Sequence, residues 1–296
     1  MNPRVIALSP AHSKLADVLV LAKVRLNALV VATTAGGYYM AAPHDFNPIV
    51  LAVTCAGTAL VASGASAINQ AQECDTDRLM ARTRLRPVAD GRMSVGEARA
   101  VALALCAAGL LLLWLGGHGV AALVALATVV SYVAIYTPLK RLTSLATIVG
   151  AVPGALPPLI GWAAARGSIA GLAPWTLFLI MFLWQLPHFL AIAWMYRDDY
   201  ARAGLPMLPV VDPSGAMTGR QATLWAATLV VFSLLPSAVG LAGPLYGLGA
   251  LVLGLAQLGV AVHFAVHRTQ ESARRLFYAS ITYLPLLWIL MAVARV

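Results

Sequence analysis

Nine stretches of apolar residues, each long enough to cross a membrane, run through almost the whole chain. They fall near 26–42, 49–70, 98–116, 119–137, 143–164, 172–195, 222–240, 244–266 and 275–294. An α-helix needs about 20 apolar residues to cross roughly 30 Å of hydrocarbon. The sequence therefore predicts an all-α, polytopic membrane protein with nine transmembrane helices.

The amino-acid composition excludes an ordinary soluble domain. Of the 296 residues, 60% are hydrophobic and only 10% are charged, and the mean hydropathy is +0.82. In a soluble globular protein, charged side chains make up roughly a quarter of the residues. No separate polar module interrupts the apolar pattern, so we expect one domain over 1–296, capped by polar loops near 72–97 and 197–220.

Lysine and arginine are distributed unevenly between the two sides of the predicted bundle. With the N-terminus inside, only Arg166 and Arg295 among the 20 Lys and Arg residues fall in outer segments. Cytoplasmic loops of membrane proteins carry the excess of basic residues, so the N-terminus is expected in the cytoplasm and the C-terminus in the periplasm. A bacterial inner membrane fits the short N-terminal arm, which has no long transit peptide. The net charge of +9 then reflects topology and an anionic substrate, not nucleic-acid binding, because no soluble basic domain exists.

The densest polar segment lies at 69–87, at the end of the second apolar stretch. On a helix, Asn69, Glu73 and Asp77 would share one face, because residues four apart lie on successive turns. Three oxygen ligands in a row suit Mg²⁺, which proteins bind through a few carboxylates and substrate phosphates. Arg82 and Arg86 have the same spacing if the helix continues, and guanidinium groups match phosphate oxygens. The segment therefore predicts a magnesium and diphosphate site.

Two further inner segments carry polar side chains. Tyr136 and Lys140 lie four residues apart at the inner end of the fourth helix, where Lys140 either contacts a diphosphate or only marks the membrane boundary. Asp198 and Asp199 follow the sixth helix and either bind metal or pair with neighbouring arginines. If the second, fourth and sixth helices surround one central cavity, all three segments converge where that cavity opens to the cytoplasm.

His188 lies within the sixth helix, at a spacing that predicts a face shared with Asp199. A polar side chain at that depth is expected to point into the bundle or a cavity rather than towards lipid. The residues alone leave two interpretations open for His188: a hydrogen bond across the bundle, or a contact with substrate.

These motifs resemble those of the UbiA-like membrane prenyltransferase superfamily, and the resemblance covers almost the whole chain. The superfamily's first aspartate-rich motif, Asn-x-x-x-Asp-x-x-x-Asp, corresponds to Asn69, Glu73 and Asp77, with glutamate in place of the middle aspartate. The second motif lacks the aspartate that usually precedes the Asp-Asp pair, a departure that looks like a trait of the haem-farnesylating branch. Three strings are similar to those of that branch: Met80 to Pro87, Pro187 to Phe189, and DDYARAGLPMLPV from Asp198.

The resemblance implies transfer of a farnesyl group from farnesyl diphosphate to a vinyl group of protohaem IX, with Mg²⁺ as cofactor. Haem O and diphosphate would be the products, and a downstream haem-modifying or oxidase-assembly protein a possible partner. The resemblance implies that Asn69, Glu73, Asp77 and Asp199 are catalytic and that these four and Asp198 bind the metal. The implied diphosphate contacts are Arg82, Arg86, Lys140 and Tyr136. His188 is the first candidate for a contact with haem.

Two other functions are compatible with parts of this pattern. A UbiA-like enzyme that prenylates an aromatic or quinone precursor would share the metal and diphosphate residues, although the pairs Arg82-Thr83 and Asp199-Tyr200 favour the haem branch. A secondary transporter would place its ion sites near the middle of the membrane on broken helices, whereas the acids here lie at the inner ends of the helices. Replacing Asp77 would remove Mg²⁺-dependent turnover from an enzyme but flux from a transporter.

Overall fold

The computed structural model describes residues 13–42 and 44–296, and it is helical almost throughout. Arg4, which contributes to the predicted orientation, lies outside the described residues. The first half contains α1 (Lys14–Leu21), α2 (Val24–Ala41), α3 (Pro48–Gln72), α4 (Cys74–Leu79), α5 (Val95–Gly116), α6 (Gly119–Val130), a π-helical segment (Ser131–Tyr136), α7 (Thr137–Leu139) and α8 (Ala146–Ala155). The second half contains α9 (Pro157–Arg166), α10 (Leu172–Met195), α11 (Arg197–Arg202), α12 (Leu208–Val211), α13 (Ala216–Phe232), α14 (Leu235–Ala238), α15 (Pro244–His267) and α16 (Gln270–Val293).

Eight segments in the described part of the chain have the length and hydropathy of membrane spans. They are Pro48–Gln72, Val95–Gly116, Gly119–Leu139, Ala146–Arg166, Leu172–Met195, Ala216–Ala238, Pro244–His267 and Gln270–Val293. These eight coincide with the last eight predicted spans, so the all-α membrane architecture is confirmed. The first predicted span corresponds to α2, which has 18 residues and carries Arg25 and Asn27 near its start. This ninth helix lies where the sequence predicts it but is not among the eight.

Local sequence signals explain where several helices begin. The side chain of Asn47 accepts hydrogen bonds from the N–H groups of Ile49 and Val50, which start α3. Ser94 and Glu97 form a reciprocal capping box at the start of α5. Such caps satisfy N–H groups that have no partner within the first turn, and they fix where the polar loops end and the helices begin.

Glycine residues allow the closest approaches between helices. A Cβ atom on Gly161 of α9 would lie 1.9 Å from the carbonyl oxygen of Thr34 in α2, and a Cβ on Gly109 of α5 would lie 2.6 Å from the carbonyl oxygen of Gly57 in α3. Small residues at such crossings let backbones meet in a membrane, where dispersion contacts replace the hydrophobic drive. α2 therefore packs against α9, and α3 against α5.

The helices form a closed arrangement in which α16 contacts α2, and α10 packs against α8, α13 and α16. Two short helices, α4 and α11, follow the C-terminal ends of α3 and α10. They meet where the N–H of Ala81 donates a hydrogen bond to Asp199 (3.3 Å) and Arg82 donates one to the hydroxyl of Tyr200 (3.1 Å). The second and sixth predicted helices therefore converge at one end of the bundle. The opening of a central cavity to the cytoplasm stays a prediction, as does the single domain over 1–296.

Candidate active site

Three polar side chains of the first motif lie buried at the junction of α3 and α4. Asn69 is in α3, Glu73 is between the helices, and Asp77 is in α4; all three are at most 5% exposed. The N–H of Glu73 donates to the carbonyl of Asn69 (2.9 Å), and the N–H of Asp77 donates to that of Glu73 (2.8 Å). The four-residue periodicity therefore persists across the break in the helix.

A cation contacts each of these three side chains. The ammonium of Lys140 lies 3.1 Å from Oε1 of Glu73, and the guanidinium of Arg86 donates to both carboxylate oxygens of Asp77 at 2.8 and 2.7 Å. The ammonium of Lys23 donates to Oδ1 of Asn69 at 3.3 Å. Buried charges are stable only when they are paired and hydrogen-bonded. The cluster is therefore a compact, mixed-charge site rather than a row of free carboxylates.

Arg86 reaches Asp77 by a route that the helical spacing does not predict. The expected continuation of the helix to Arg82 and Arg86 is wrong, because α4 ends at Leu79 and the chain then reverses through turns. The hydroxyl of Thr83 donates to the carbonyl of Asp77 (3.0 Å), which holds this reversal. Arg86 consequently folds back onto the motif, while Arg82 points the other way, with its guanidinium 5.2 Å from the ring centre of Tyr196.

Glu73 ionises more readily than an ordinary buried carboxyl. Burial on its own raises the pKa of this carboxyl, but the nearby ammonium of Lys140, with a smaller effect from Lys23, brings it below the usual value. Glu73 is therefore an anion at neutral pH. This end of the bundle presents carboxylate and amide oxygens beside three cations.

Lys23 is a site residue that the sequence analysis misses. It joins α1 to α2 in a left-handed conformation (φ +48°), which is uncommon for a residue with a side chain. Gln70 donates to the carbonyl of Leu21 (2.7 Å) and Asn27 to that of Ala22 (2.6 Å), so two side chains hold the turn in place. Burial, and then the positive charge of Arg86, lowers the pKa of Lys23 to about 7. Its position in front of an apolar stretch resembles that of a lysine that only sets topology.

The two aspartates after α10 have different environments. Asp199 is 8% exposed, accepts the N–H of Ala81 and pairs with Arg202. The side chain of Asp198 is 86% exposed and lies 3.9 Å from Arg197. The structure thus places Asp199 against the loop that follows the first motif and leaves Asp198 at the surface, in the solvated ion pair that was the alternative interpretation.

Tyr136 precedes Lys140 by one helical turn, and the N–H of Lys140 donates to the carbonyl of Tyr136 (3.0 Å). The Tyr136 ring stacks on that of Tyr132, with ring centres 5.5 Å apart. The next residue, Thr137, accepts a hydrogen bond from the Asn69 side chain (3.1 Å). The fourth predicted helix therefore contacts the first motif directly, and its C-terminal end forms one wall of the cluster.

His188 lies between two aromatic rings, Trp184 at 5.1 Å and Phe277 at 5.0 Å between ring centres. The face shared with Asp199 stays a prediction, since α10 ends at Met195 and α11 begins at Arg197. Nδ1 lies 2.8 Å from the hydroxyl of Ser280, which lies 2.6 Å from the carbonyl of Phe277. A carbonyl cannot donate, so Ser280 donates to it and Nδ1 of His188 carries the proton. Nε2 then keeps its lone pair.

The donor set is that of a hard cation bound together with an anion. No three His, Cys, Asp or Glu side chains converge in the part of the chain that is described. Asn69, Glu73 and Asp77 supply oxygens, and Lys23, Arg86 and Lys140 supply N–H donors. A polyphosphate with Mg²⁺ would satisfy both groups, because Mg²⁺ is usually bound by one or two carboxylates and by substrate phosphates.

Comparison with known proteins supports the resemblance seen in the motifs. The model of the UbiA prenyltransferase family matches residues 29–289. A relative from Solibacter usitatus (strain Ellin6076) is 44% identical over 94% of this chain and 98% of its own length, and one from Opitutus terrae (strain DSM 11246 / JCM 15787 / PB90-1) is 44% identical over 93% of each. Both relatives are named protoheme IX farnesyltransferase.

Solved structures share the fold at low sequence identity. A structure described in work on digeranylgeranylglyceryl phosphate synthase has a TM-score of 0.79 at 16% identity and covers 95% of this chain and 98% of its own. A UbiA homologue from Archaeoglobus fulgidus bound to GPP and Mg²⁺ has a TM-score of 0.66 at 15% identity and covers 93% of this chain and 99% of its own. At these identities the likeness concerns the fold alone.

Proposed function

The chain belongs to the UbiA prenyltransferase family, and from that premise we propose that it transfers the farnesyl group of farnesyl diphosphate to a vinyl group of protohaem IX. The main support is that relatives 44% identical over more than nine-tenths of the chain are named for this reaction. The polar cluster at the inner end of α3 supplies the chemistry that an allylic diphosphate needs. Haem b is the acceptor substrate and not a prosthetic group.

The cations of the cluster bind the diphosphate. Lys140, Arg86 and Lys23 reach into one buried space from three different elements. Tyr136 lies one turn before Lys140, whereas Arg82 contacts Tyr200 of α11 and stays a predicted diphosphate contact. When the allylic C–O bond breaks, negative charge grows on the leaving oxygens, and fixed cations in a dry site stabilise that charge.

The side chains present fit Mg²⁺ in donor type. Glu73 and Asp77 are buried carboxylates and Asn69 adds an amide oxygen, whereas Asp199 on α11 does not converge with both carboxylates and stays a predicted ligand. We leave Asp198 out of this set because its side chain lies at the surface. Bound Mg²⁺ would neutralise charge on the leaving diphosphate. The ion pairs that these carboxylates form with Lys140, Arg86 and Arg202 would then open or share their oxygens with the metal.

The transfer step balances without an oxidant or reductant. The C–O bond of farnesyl diphosphate breaks, and its electron pair leaves with the diphosphate. The π electrons of the vinyl group form the new bond to the allylic carbon, and the cation left beside the ring takes up water and loses a proton. The product is haem O, with a hydroxyethylfarnesyl substituent. The apolar walls of the bundle exclude other water from the allylic cation.

His188 is proposed to contact the haem. Its Nδ1 proton is held by Ser280, so Nε2 presents a lone pair, the form of imidazole that ligates a metal. Stacking between Trp184 and Phe277 fixes the plane of the ring. The competing role, a histidine that only ties α10 to α16, accounts for the same contacts, and binding spectra of haem with a His188→Ala variant distinguish the two.

The site is proposed to face the cytoplasm of a bacterial inner membrane, with the C-terminus in the periplasm. The distribution of lysine and arginine supports this orientation, and the bilayer itself is the protein's permanent environment. A downstream haem-modifying or oxidase-assembly partner stays a prediction.

The test is a reconstitution with a matched pair of aspartate variants. The purified protein receives protohaem, farnesyl diphosphate and Mg²⁺, and mass spectrometry looks for haem heavier by a farnesyl group and a hydroxyl group. Asp77→Asn removes the buried carboxylate that Arg86 holds and should abolish product. Asp75→Asn is the control, because that side chain lies on the same short helix but is 80% exposed. Farnesyl transfer only to a phenolic or quinone-type acceptor would refute the haem assignment while keeping the family.

A further inference from the structure

A groove of about 390 Å³ lies beside the site, between the inner ends of α10 and α16. The loop after α4 contributes Arg82 to it, Tyr196 follows α10, and α16 contributes Arg274, Phe277 and Tyr278. The groove is open, since Tyr196 is 41% and Tyr278 59% exposed. None of the proposed roles for the polar cluster uses Arg274, Phe277 or Tyr278.

The charges that line this groove are all positive. Among the described residues that line it, Arg82 and Arg274 are the charged ones. Arg82 donates to the hydroxyl of Tyr200 and lies over two tyrosine rings, so its guanidinium has aromatic and hydroxyl partners. Arg274 forms no ion pair with any described residue, whereas the next residue, Arg275, pairs with Glu271. The groove therefore offers two guanidinium groups to an anion.

The remaining walls of the groove suit a flat apolar body. Phe277 lines the groove, and its ring also stacks on His188 at 23° between the planes. Tyr196 and Tyr278 present further ring surface at the mouth. Aromatic rings with nearby guanidinium groups match ligands that combine a planar apolar face with carboxylates or phosphates. A ligand that contacts Phe277 in this groove would also lie close to His188.

We propose that this groove binds the carboxylate edge of the tetrapyrrole acceptor, with Arg82 and Arg274 paired to its two propionates. The inference rests on the proposed function, because it takes protohaem as the acceptor. Protohaem carries its propionates on one edge and its vinyl groups on the opposite half. Holding the propionates at the polar mouth therefore directs the vinyl groups inward, towards the apolar part of the bundle. Ala81, the residue before Arg82, donates to Asp199, so the groove adjoins the loop that follows the first motif.

The experiment compares two porphyrins on three full-length proteins in nanodiscs. Iron protoporphyrin IX and its dimethyl ester are titrated separately by absorbance, without farnesyl diphosphate, into the wild type, Arg274→Gln and Arg275→Gln. The wild type should bind the free acid roughly tenfold more tightly than the ester, since charge-assisted hydrogen bonds are lost on esterification. Arg274→Gln should bring this ratio close to one, and Arg275→Gln, the adjacent exposed control, should keep it.

A wild type that binds acid and ester equally would overturn the proposal, and would leave the two arginines to anionic lipid headgroups. An Arg274→Gln protein that keeps the wild-type ratio would overturn it as well. With turnover included, the KM for protohaem should rise in Arg274→Gln while the KM for farnesyl diphosphate stays unchanged. If no variant makes farnesylated haem but the binding ratios are as expected, the proposed reaction is wrong and the groove stands.

Discussion

The buried pair of Glu73 and Lys140 allows stability and catalysis to be separated. The two side chains are 6% and 10% exposed, and their charged atoms are 3.1 Å apart. Removing one partner of a buried ion pair costs about 3–5 kcal/mol, because the other charge is left without compensation. The structure predicts which partner is the more costly to lose.

Glu73→Gln should lower the free energy of unfolding by about 5 kcal/mol, the upper end of that range. The change removes one anion and leaves Lys140 close to two other cations, Lys23 and Arg86. Lys140→Met should cost about 3 kcal/mol, since Lys23 and Arg86 still face the carboxylate of Glu73. The double variant Glu73→Gln/Lys140→Met leaves neither charge unpaired. It should cost no more than either single change, a coupling that a double-mutant cycle measures directly.

The assay is unfolding of the four proteins in mixed micelles with increasing SDS, followed by helical circular dichroism, with farnesyl transfer measured on the same preparations. The double variant should be folded and inactive, because both groups contact the substrate or its metal in the proposed site. The electrostatic reasoning would be refuted if the double variant lost as much unfolding free energy as the two single variants together. It would also be refuted if Lys140→Met lost more than Glu73→Gln. Wild-type turnover in the double variant would refute the site.

Two further outcomes follow from individual residues. Gly161→Ala should destabilise the protein by about 3 kcal/mol, because the added Cβ would overlap the backbone of Thr34. At Gly259 no other atom lies within 4 Å of an added Cβ, so Gly259→Ala should stabilise its helix by up to about 1 kcal/mol in the same SDS titration. The pKa of Lys23 is lowered to about 7 by burial and then by Arg86, so most of its amine is neutral at pH 8. Diphosphate binding at pH 8 should then take up about one proton, which calorimetry in two buffers of different ionisation enthalpy detects, and uptake should vanish at pH 6 and in Lys23→Met. Equal uptake at both pH values would contradict this role for Lys23.

The membrane architecture follows from hydropathy because the bilayer imposes one dominant constraint on each segment. A span must be long, apolar and helical, and eight predicted spans coincide with observed ones. The neighbours of each helix are not encoded in that pattern. The contact of α2 with α9 depends on Gly37 and Gly161, which lie more than a hundred residues apart and have no local signal for one another.

The site was predictable wherever its residues follow a regular spacing, and not where the chain turns. Asn69, Glu73 and Asp77 keep helical spacing across a break, so their proximity could be inferred. Arg86 depends on a reversal after Leu79, and Lys23 is itself left-handed, in a turn held partly by Gln70, about fifty positions along the chain. Turn geometry and distant side chains decide both positions, and neither is visible in a periodic pattern.

The arrangement of cations explains how one membrane protein could distinguish two anionic, largely apolar substrates. Lys23, Arg86 and Lys140 are buried with carboxylates, an environment that favours a small polyanion with a metal over a carboxylate, which would add repulsion without bringing a cation. Arg82 and Arg274 line an open groove that has no acid among its described lining residues, so carboxylates would bind there without displacing an acidic partner. Selectivity would then come from the acids that are present in one site and absent from the other, because like charges exclude the wrong anion. The variant Tyr278→Glu places an acid in the groove. It should weaken protohaem binding and leave the KM for farnesyl diphosphate unchanged. An equal loss of affinity for both substrates would refute the proposal of two separate anion sites.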